Sequence, residues 1–268
     1  MHLIDAKTKI FGVLGHNISY TLSPAIHNYI FMEIGYNAVY LVFDVPENKF
    51  DYVAKALIDI CEGFNVTIPY KEKIIPYLTH LDKSAEIIGA VNTVYRGRGY
   101  NTDYIATKKL FEKYRHSLEK GICYIFGAGG AARAAAAALG EQGCSIRIVN
   151  RSVDRALKMA KDLRKIVNSI EVANTSTCEE AEVIVNATPD PSFIPDKCLH
   201  NNLKLVIEFV YRPVETLLVK KAIEKGIPVI NGLEILVAQA LEAQRIWLGI
   251  EFPFEKVVGY LHARKLIW

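Results

Sequence analysis

Residues 127–132 read Gly127-Ala128-Gly129-Gly130-Ala131-Ala132, a G-x-G-x-x-A run with the spacing of a dinucleotide-binding turn. The first glycine makes the tight turn, the second lets backbone approach a pyrophosphate, and the small last residue lets helix pack on strand. A short apolar stretch, Ile122–Phe126, precedes the run, and the alanine-rich residues 131–139 follow it. Alanine is the best helix former, and the free N–H groups at the start of that helix would face the phosphates. A second apolar stretch, Ser145–Val149, ends at Asn150-Arg151-Ser152, with Arg155 just beyond. A site for an unphosphorylated ribose carries Asp or Glu about 20 residues past the glycines. Guanidinium groups there suit a 2′-phosphate instead, because they bind phosphate through paired, charge-assisted hydrogen bonds. The reading is therefore NADP rather than NAD. The alternative is a glycine turn in an ordinary α/β domain with surface arginines.

These residues need a sheet to hold them. Residues 9–14 (KIFGVL) read as a first strand, followed by a polar loop and Ser23-Pro24. Ser23 there suits a helix N-cap and Pro24 the first helical position. Strands are expected at 38–45 and 63–68, with a helix between them at Phe50–Ile60, so this half alternates strand and helix. Short helices are expected at 70–78 and 81–88, then a β-hairpin over 89–100 turning at Gly97-Arg98-Gly99. Asn101-Thr102-Asp103 opens a helix running to about His116. After Ser145–Val149 come a helix to about Val167, strands near 171–173, 182–185 and 203–209, a helix at 215–225 and a last strand at 227–230. That alternation predicts a parallel, doubly wound sheet. Gly232–Leu248 and Phe254–Ala263 read as helices with no strand partner, returning to the first domain.

The chain has 268 residues, 51% of them hydrophobic and 23% charged, which suits a globular protein of about two domains. The expected division is 1–104 with 232–268, and 105–231. A net charge of +3 with well-mixed signs points to no nucleic-acid partner. Cys61, Cys123, Cys144, Cys178 and Cys198 are widely spaced and form no C-x-x-C. Neither a disulfide framework nor a metal site is expected from them, and a reducing cytoplasm is the natural compartment. Asp5, Lys7 and Lys9 precede any long apolar run, so no signal peptide is read, and no stretch suits a membrane span.

Five segments, in order along nearly the whole chain, resemble those of shikimate dehydrogenases and the related quinate/shikimate dehydrogenases. They are TLSPAIHN at 21–28, GFNVTIPYKE at 63–72, GAVNTV at 89–94 with NTD at 101–103, GAGGAARA at 127–134 with NRS at 150–152, and NGLEILVAQA at 231–240. The resemblance implies an N-terminal α/β substrate domain and a Rossmann-type NADP domain. It also implies NADP-linked, reversible reduction of 3-dehydroshikimate to shikimate. Thr21 and Ser23 would hold the substrate carboxylate at a helix N-terminus, where the dipole favours an anion. Lys71 would exchange the proton at the reacting oxygen, as a lysine can when burial or neighbours bring its pKa toward neutrality. Asp103 would orient it. Asn65, Thr67, Asn92, Tyr211 and Gln239 are expected on the substrate, and Thr188 and Gly232 on the cofactor. Residue by residue, plainer readings stand beside these: a helix cap for Ser23, a solvated loop lysine for Lys71, a helix-terminal charge for Asp103, and an interface side chain for Gln239.

The pattern also departs from the family. Tyr20-Thr21-Leu22-Ser23 stands where His-Ser-x-Ser is usual, Tyr104 and Glu234-Ile235 stand where Gly and Gly-Met are usual, Asp190-Pro191-Ser192 follows Thr188-Pro189, and Glu208 replaces Asp. Two other functions remain open: a quinate/shikimate dehydrogenase of broader specificity, and a non-catalytic NADP-dependent sensor. Intact Lys71 and Asp103 argue against the sensor. The expected partner is a small-molecule substrate, with the protein a monomer or homodimer.

Overall fold

The computed structural model describes residues 4–112, 114, 118 and 120–267. Its packing forms two compact units, one holding the chain through Thr102 together with Gln239–Leu266, the other Asp103–Ala238.

The first unit is built on β1 (Lys9–Gly15), α1 (Ser23–Glu33), β2 (Ala38–Asp44), α2 (Phe50–Ile60), β3 (Gly63–Val66), β4 (His80–Leu81), α3 (Lys83–Ile88), β5 (Thr93–Tyr95) and β6 (Arg98–Tyr100). Its sheet runs β2-β1-β3-β5-β6-β4. β1 pairs in parallel with β2 and β3, and β5 is antiparallel to both β3 and β6. Successive side chains of a strand point to opposite faces. Phe11 and Val13 therefore enter one layer with Phe31 and Tyr40, while Leu14 enters the other with Phe50, Leu57 and Phe64.

The second unit contains α4 (Thr102–Glu112), which begins one residue before it, then β7 (Ile122–Phe126), α5 (Gly130–Glu141), β8 (Ser145–Val149), α6 (Val153–Leu163), β9 (Ile170–Val172), β10 (Val183–Asn186), β11 (Leu205–Glu208), α7 (Leu217–Glu224) and β12 (Val229–Ile230). The strand order is β12-β11-β10-β7-β8-β9, and the pairings are parallel. This is the expected doubly wound sheet. The order reverses between β7 and β10, and ligands bind such sheets beyond the carboxyl ends of the strands at that point. The alanines of α5 from 132 to 138 are fully buried. Small side chains let that helix lie close to the sheet.

α8 (Gly232–Leu248) is one continuous helix that starts in the second unit and ends in the first. α9 (Phe254–Ala263) follows it and packs on α1, with Tyr29 stacked on Tyr260 at 4.0 Å. The expected return of the C-terminal helices to the first sheet is anchored by Trp247. Its indole N–H donates to the Val94 carbonyl at 3.0 Å. A Cβ at Gly63 would lie 2.5 Å from that nitrogen, so only glycine fits beneath it.

Local expectations changed in several places. No regular α-helix forms over 70–78; turns lead into a 3-10 segment at Ile75–Tyr77. Pro76 has no N–H to continue a helix. The hairpin turns at Arg96-Gly97, both with positive φ (48° and 72°), as two-residue hairpin loops favour, and Arg98 belongs to β6. α4 is described to Glu112, and His116 lies outside the described residues. Asp103 and Tyr104, expected with the first domain, group with the second. The reason at Tyr104 is direct, because its hydroxyl donates to Glu141 Oε1 at 2.6 Å, beside Lys108 on Oε2. Residues 232–238 likewise group with the second unit.

The largest correction concerns the cysteines. Cys178 and Cys198 form a disulfide, against the expectation of none. Cys178 lies in the 3-10 segment Thr175–Glu180 and Cys198 in Asp196–Cys198. Both segments fold over one buried cluster that includes Ala181, Ile184, Leu199 and Val206. A spacing of 20 residues carries no sign of that meeting. Among the described residues no acidic, His or Cys group is arranged to hold a metal, and no helix is long and apolar enough to cross a membrane.

Closing a loop of this size limits the unfolded chain by about 3 kcal/mol. Replacing Cys178 and Cys198 together by serine is expected to lower unfolding free energy by about 2–4 kcal/mol, read from chemical denaturation. Equal midpoints for the two proteins would remove the crosslink from the account of stability.

Candidate functional site

In the second unit the glycine run makes the tight turn that its spacing predicts. Gly127 has φ 118° and donates its N–H to the Val149 carbonyl at 2.9 Å. A Cβ there would lie 2.8 Å from the Ala187 carbonyl oxygen. Gly129 instead faces open space, with nothing within 4 Å of a would-be Cβ. It is the N-cap of α5, and no side chain caps that helix. Ala128, Gly130 and Ala131 add no bulk to the approach. An anion can therefore reach backbone N–H groups with the helix dipole behind them.

At the end of β8, Asn150 Nδ2 donates to the Ser152 carbonyl at 2.8 Å, and Ser152 Oγ caps α6 by accepting from Arg155 N. This fixes the turn from which Arg151 and Arg155 project, both exposed. Asp190 lies within the field of Arg151. Its carboxylate is held below the usual range first by hydrogen bonds from the Ser192 side chain and backbone, then by that arginine.

Thr188 follows β10. Its Oγ1 is 2.8 Å from both Asn186 Oδ1 and the Asp190 carbonyl. Asn186 in turn donates to Glu208 Oε1 at 2.8 Å, where Val210 N also donates at 2.9 Å, and Thr216 Oγ1 donates to Glu208 Oε2 at 2.9 Å. Glu208 is fully buried, and burial pushes its carboxyl up to about 7 against those hydrogen bonds. One side chain thus joins the ends of β10 and β11 to Thr216, the N-cap of α7. In the sequence Glu208 stands out only as a replacement for Asp. Gly232 opens α8 where a Cβ would lie 2.3 Å from the Val210 carbonyl and 2.8 Å from Tyr211 N. It allows close approach to the loop that carries Tyr211, which is half-buried. Asn231 and Glu234 bond each other's backbone N–H reciprocally, at 3.0 and 3.4 Å, as a capping box does.

In the first unit, Ser23 is not the N-cap that its place before Pro24 suggested. α1 begins at Ser23, the cap position is Leu22, and no side chain caps the helix. The Ser23 hydroxyl instead lies 3.1 Å from Thr21 Oγ1. Asn65 is buried, with Oδ1 accepting from Tyr40 at 2.6 Å and Nδ2 donating to the Asn92 carbonyl and Thr93 Oγ1. Asn92 Oδ1 accepts from Thr102 N at 2.7 Å and from the Thr93 and Thr102 hydroxyls. Thr102 Oγ1 is 3.4 Å from Gln239 Oε1. Thr67 lies just past β3, half-buried, its N–H bonded to the Leu14 carbonyl at 2.8 Å. Lys71 is half-buried, and its carbonyl accepts from Val91 N at 2.8 Å. Asp103 occupies the first turn of α4 in the second unit.

The structure therefore brings Asn65, Asn92 and Gln239 into one network, through Tyr40, Thr93 and Thr102. The sequence does not single out Tyr40 or Thr93, and Thr102 reads there only as part of a helix start. Tyr40 stands in AVYLVFD, where an aromatic residue reads simply as core.

Two family models match the chain: the shikimate dehydrogenase substrate binding domain over residues 13–94, and shikimate / quinate 5-dehydrogenase over 108–204. A shikimate dehydrogenase of Sulfurisphaera tokodaii is 52% identical over 99% of each chain. A shikimate dehydrogenase (NADP(+)) of Sulfolobus acidocaldarius is 50% identical over 98% of each. Among solved structures, the Thermus thermophilus shikimate 5-dehydrogenase in complex with NADP(H) and shikimate aligns with a TM-score of 0.85. It is 31% identical, over 97% of this chain and 100% of that one.

Glu208 gives the second unit a pH signature. Its folded pKa of about 7 lies above the ordinary 4.5, so folding favours the protonated acid. That contribution is complete below about pH 4.5 and is lost as pH rises through about 7, and it amounts to about 3 kcal/mol at 1.36 kcal/mol per unit. Glu208→Gln cannot ionise. Stability measured from about pH 5 to about pH 8 should fall less steeply in this variant than in the wild type. Parallel curves would mean that Glu208 does not change charge in that window.

Proposed function

The chain belongs to the shikimate dehydrogenase family, and from that premise we propose that it interconverts 3-dehydroshikimate and shikimate through Lys71 and Asp103. It is an NADP-dependent oxidoreductase. The observation that carries the cofactor half of this reading is the uncapped, glycine-lined start of α5 on the same unit as Arg151 and Arg155.

The backbone of Gly127, Ala128, Gly129, Gly130 and Ala131 would hold the pyrophosphate. Arg151 and Arg155 would hold the 2′-phosphate, with Asn150 and Ser152 shaping their turn. Thr188 and Gly232 would border the nicotinamide. When bound, NADP supplies the hydride for reduction or accepts it for oxidation.

Thr21 and Ser23 would donate to the substrate carboxylate. Thr67, Asn92, Tyr211 and Gln239 would bind hydroxyls, and Asn65 would hold their frame, because its amide is committed to Tyr40, Asn92 and Thr93. In reduction the ammonium of Lys71 would give a proton to the forming alkoxide oxygen. In oxidation neutral Lys71 would take that proton as hydride leaves the carbon. Asp103 would accept a hydrogen bond on this path and keep the lysine aimed.

A cytoplasmic location fits an enzyme drawing on NADPH, although the paired Cys178 and Cys198 withdraw the support first read from the cysteines. The protein is proposed to act on a small molecule, as a monomer or homodimer, without nucleic acid.

Purified protein assayed with shikimate and with quinate, each against NADP⁺ and NAD⁺, should form NADPH fastest from shikimate. Comparable rates from quinate would instead mark a dehydrogenase of broader specificity. No turnover of either, with NADPH still bound, would favour a sensor. Lys71→Ala should lower kcat by about 10²-fold or more, and near-wild-type kcat would take Lys71 out of the mechanism. Replacing Arg151 and Arg155 with neutral residues should weaken NADPH binding, followed by fluorescence titration, far more than NADH binding. Equal losses would mean that the end of β8 does not read the 2′-phosphate.

A further inference from the structure

Tyr40 is 2% exposed and lies in the middle of β2, yet it is held as tightly as a site residue. Its backbone is gripped from both sides by the Asn28 amide, which accepts from Tyr40 N at 2.8 Å and donates to its carbonyl at 3.0 Å. Its ring lies flat on His27, with centroids 4.3 Å apart and planes 12° apart. The His27 ring is itself fixed by Gln244 of α8 at 2.9 Å. Ser23 and His27 are four residues apart on α1, so they share one helix face. The segment that supplies Thr21 and Ser23 thus also supplies both grips on Tyr40.

The phenol has one proton, and it goes to Asn65 Oδ1 at 2.6 Å. That single donor sets more than its own contact. With Oδ1 turned to Tyr40, the Asn65 amide must present Nδ2 to the Asn92 carbonyl and Thr93 Oγ1. Thr93 then donates to Asn92 Oδ1, which also collects Thr102 N and the Thr102 hydroxyl. An amide has two faces of opposite polarity, so reversing Asn65 would set donor against donor along this chain.

We propose that Tyr40 is the positioning residue of the substrate half: its hydroxyl fixes the amide of Asn65 and, through Asn65 and Thr93, that of Asn92. The inference rests on the reading that Asn92 binds substrate. Tyr40 itself does not need to touch the ligand. Burial keeps its phenol neutral by pushing its pKa up, so it serves as a permanent donor.

The test is Tyr40→Phe, compared with Tyr124→Phe. The second change removes another buried phenol hydroxyl, from a contact with Thr177 in the other unit. Tyr40→Phe should raise KM for shikimate about tenfold or more and leave KM for NADP⁺ within about twofold, because losing an aligned polar contact to a bound group is worth about that factor. Tyr124→Phe should move neither. In an Asn92→Ala background, Tyr40→Phe should have a clearly smaller effect, since the two act on one contact. Additive effects would overturn the proposal, as would equal changes in both KM values. Asn92→Ala alone with an unchanged shikimate KM would show that the underlying site reading fails, and the inference with it. If Tyr40→Phe does not fold, Asn28→Ala loosens the same grip and keeps the hydroxyl. It should raise the shikimate KM selectively by a smaller factor, and an unchanged value there would overturn the proposal.

Discussion

A buried amide at the carboxyl end of a strand must find all its partners inside the protein, because leaving one unmade costs about 1–3 kcal/mol. Asn65 meets that demand with Tyr40, Asn92 and Thr93, and these bonds hold the loops of the first unit. The second unit uses the same device. Asn186 ends β10, is fully buried, and bonds to Glu208 and Thr188. Both stand in an Asn-x-Thr run that reaches a proline within two residues of the threonine. In each, the asparagine is spent on the frame and the threonine stands at the strand's mouth. Each sheet thus fixes its functional rim with a polar side chain that points inward.

The backbone plan was legible because it rests on local rules. The glycine run, the alanine helix and the helices Gly232–Leu248 and Phe254–Ala263 form where period and composition put them. What failed depends on nonlocal partners. Ser23 looked like a cap because Ser-Pro is a cap signal, but here its hydroxyl is engaged with Thr21. The disulfide was invisible because Cys178 and Cys198 meet only when two connecting segments cover one cluster. Tyr40 and His27 carry no signal at all, since an aromatic in a strand and a histidine on a buried helix face are ordinary core residues. The proposed substrate contacts came through resemblance, because spacing along the chain says nothing about their meeting in space.

The departures from the family pattern are less disruptive than their positions suggested. Tyr104, in place of glycine, ties α4 to Glu141. Glu234 closes a capping box with Asn231. Asp190 is engaged by Ser192 and helped by Arg151. Glu208 takes Asn186, Val210 and Thr216. Each replacement is satisfied within its own unit, so each acts as a part of the scaffold. None leaves a buried charge unanswered beside the glycine turn.

Two buried titratable groups then set opposite pH slopes on the two units. Burial holds His27 down to about 3, so the first unit keeps it neutral. The unfolded chain binds a proton at His27 below about 6.5 while the fold does not, so that contribution is present above 6.5 and is lost as pH falls toward 3. Glu208 runs the other way, losing its contribution as pH rises through about 7. The first unit is thereby penalised by acid and the second by alkali, and the two slopes oppose each other between about 4.5 and 6.5. Each group stands behind a side chain of the frame, His27 behind Tyr40 and Glu208 behind Asn186, and that frame in turn holds Asn92 and Thr188, which are proposed to meet a ligand. The same burial that makes these frames rigid confines both to a range around neutral pH.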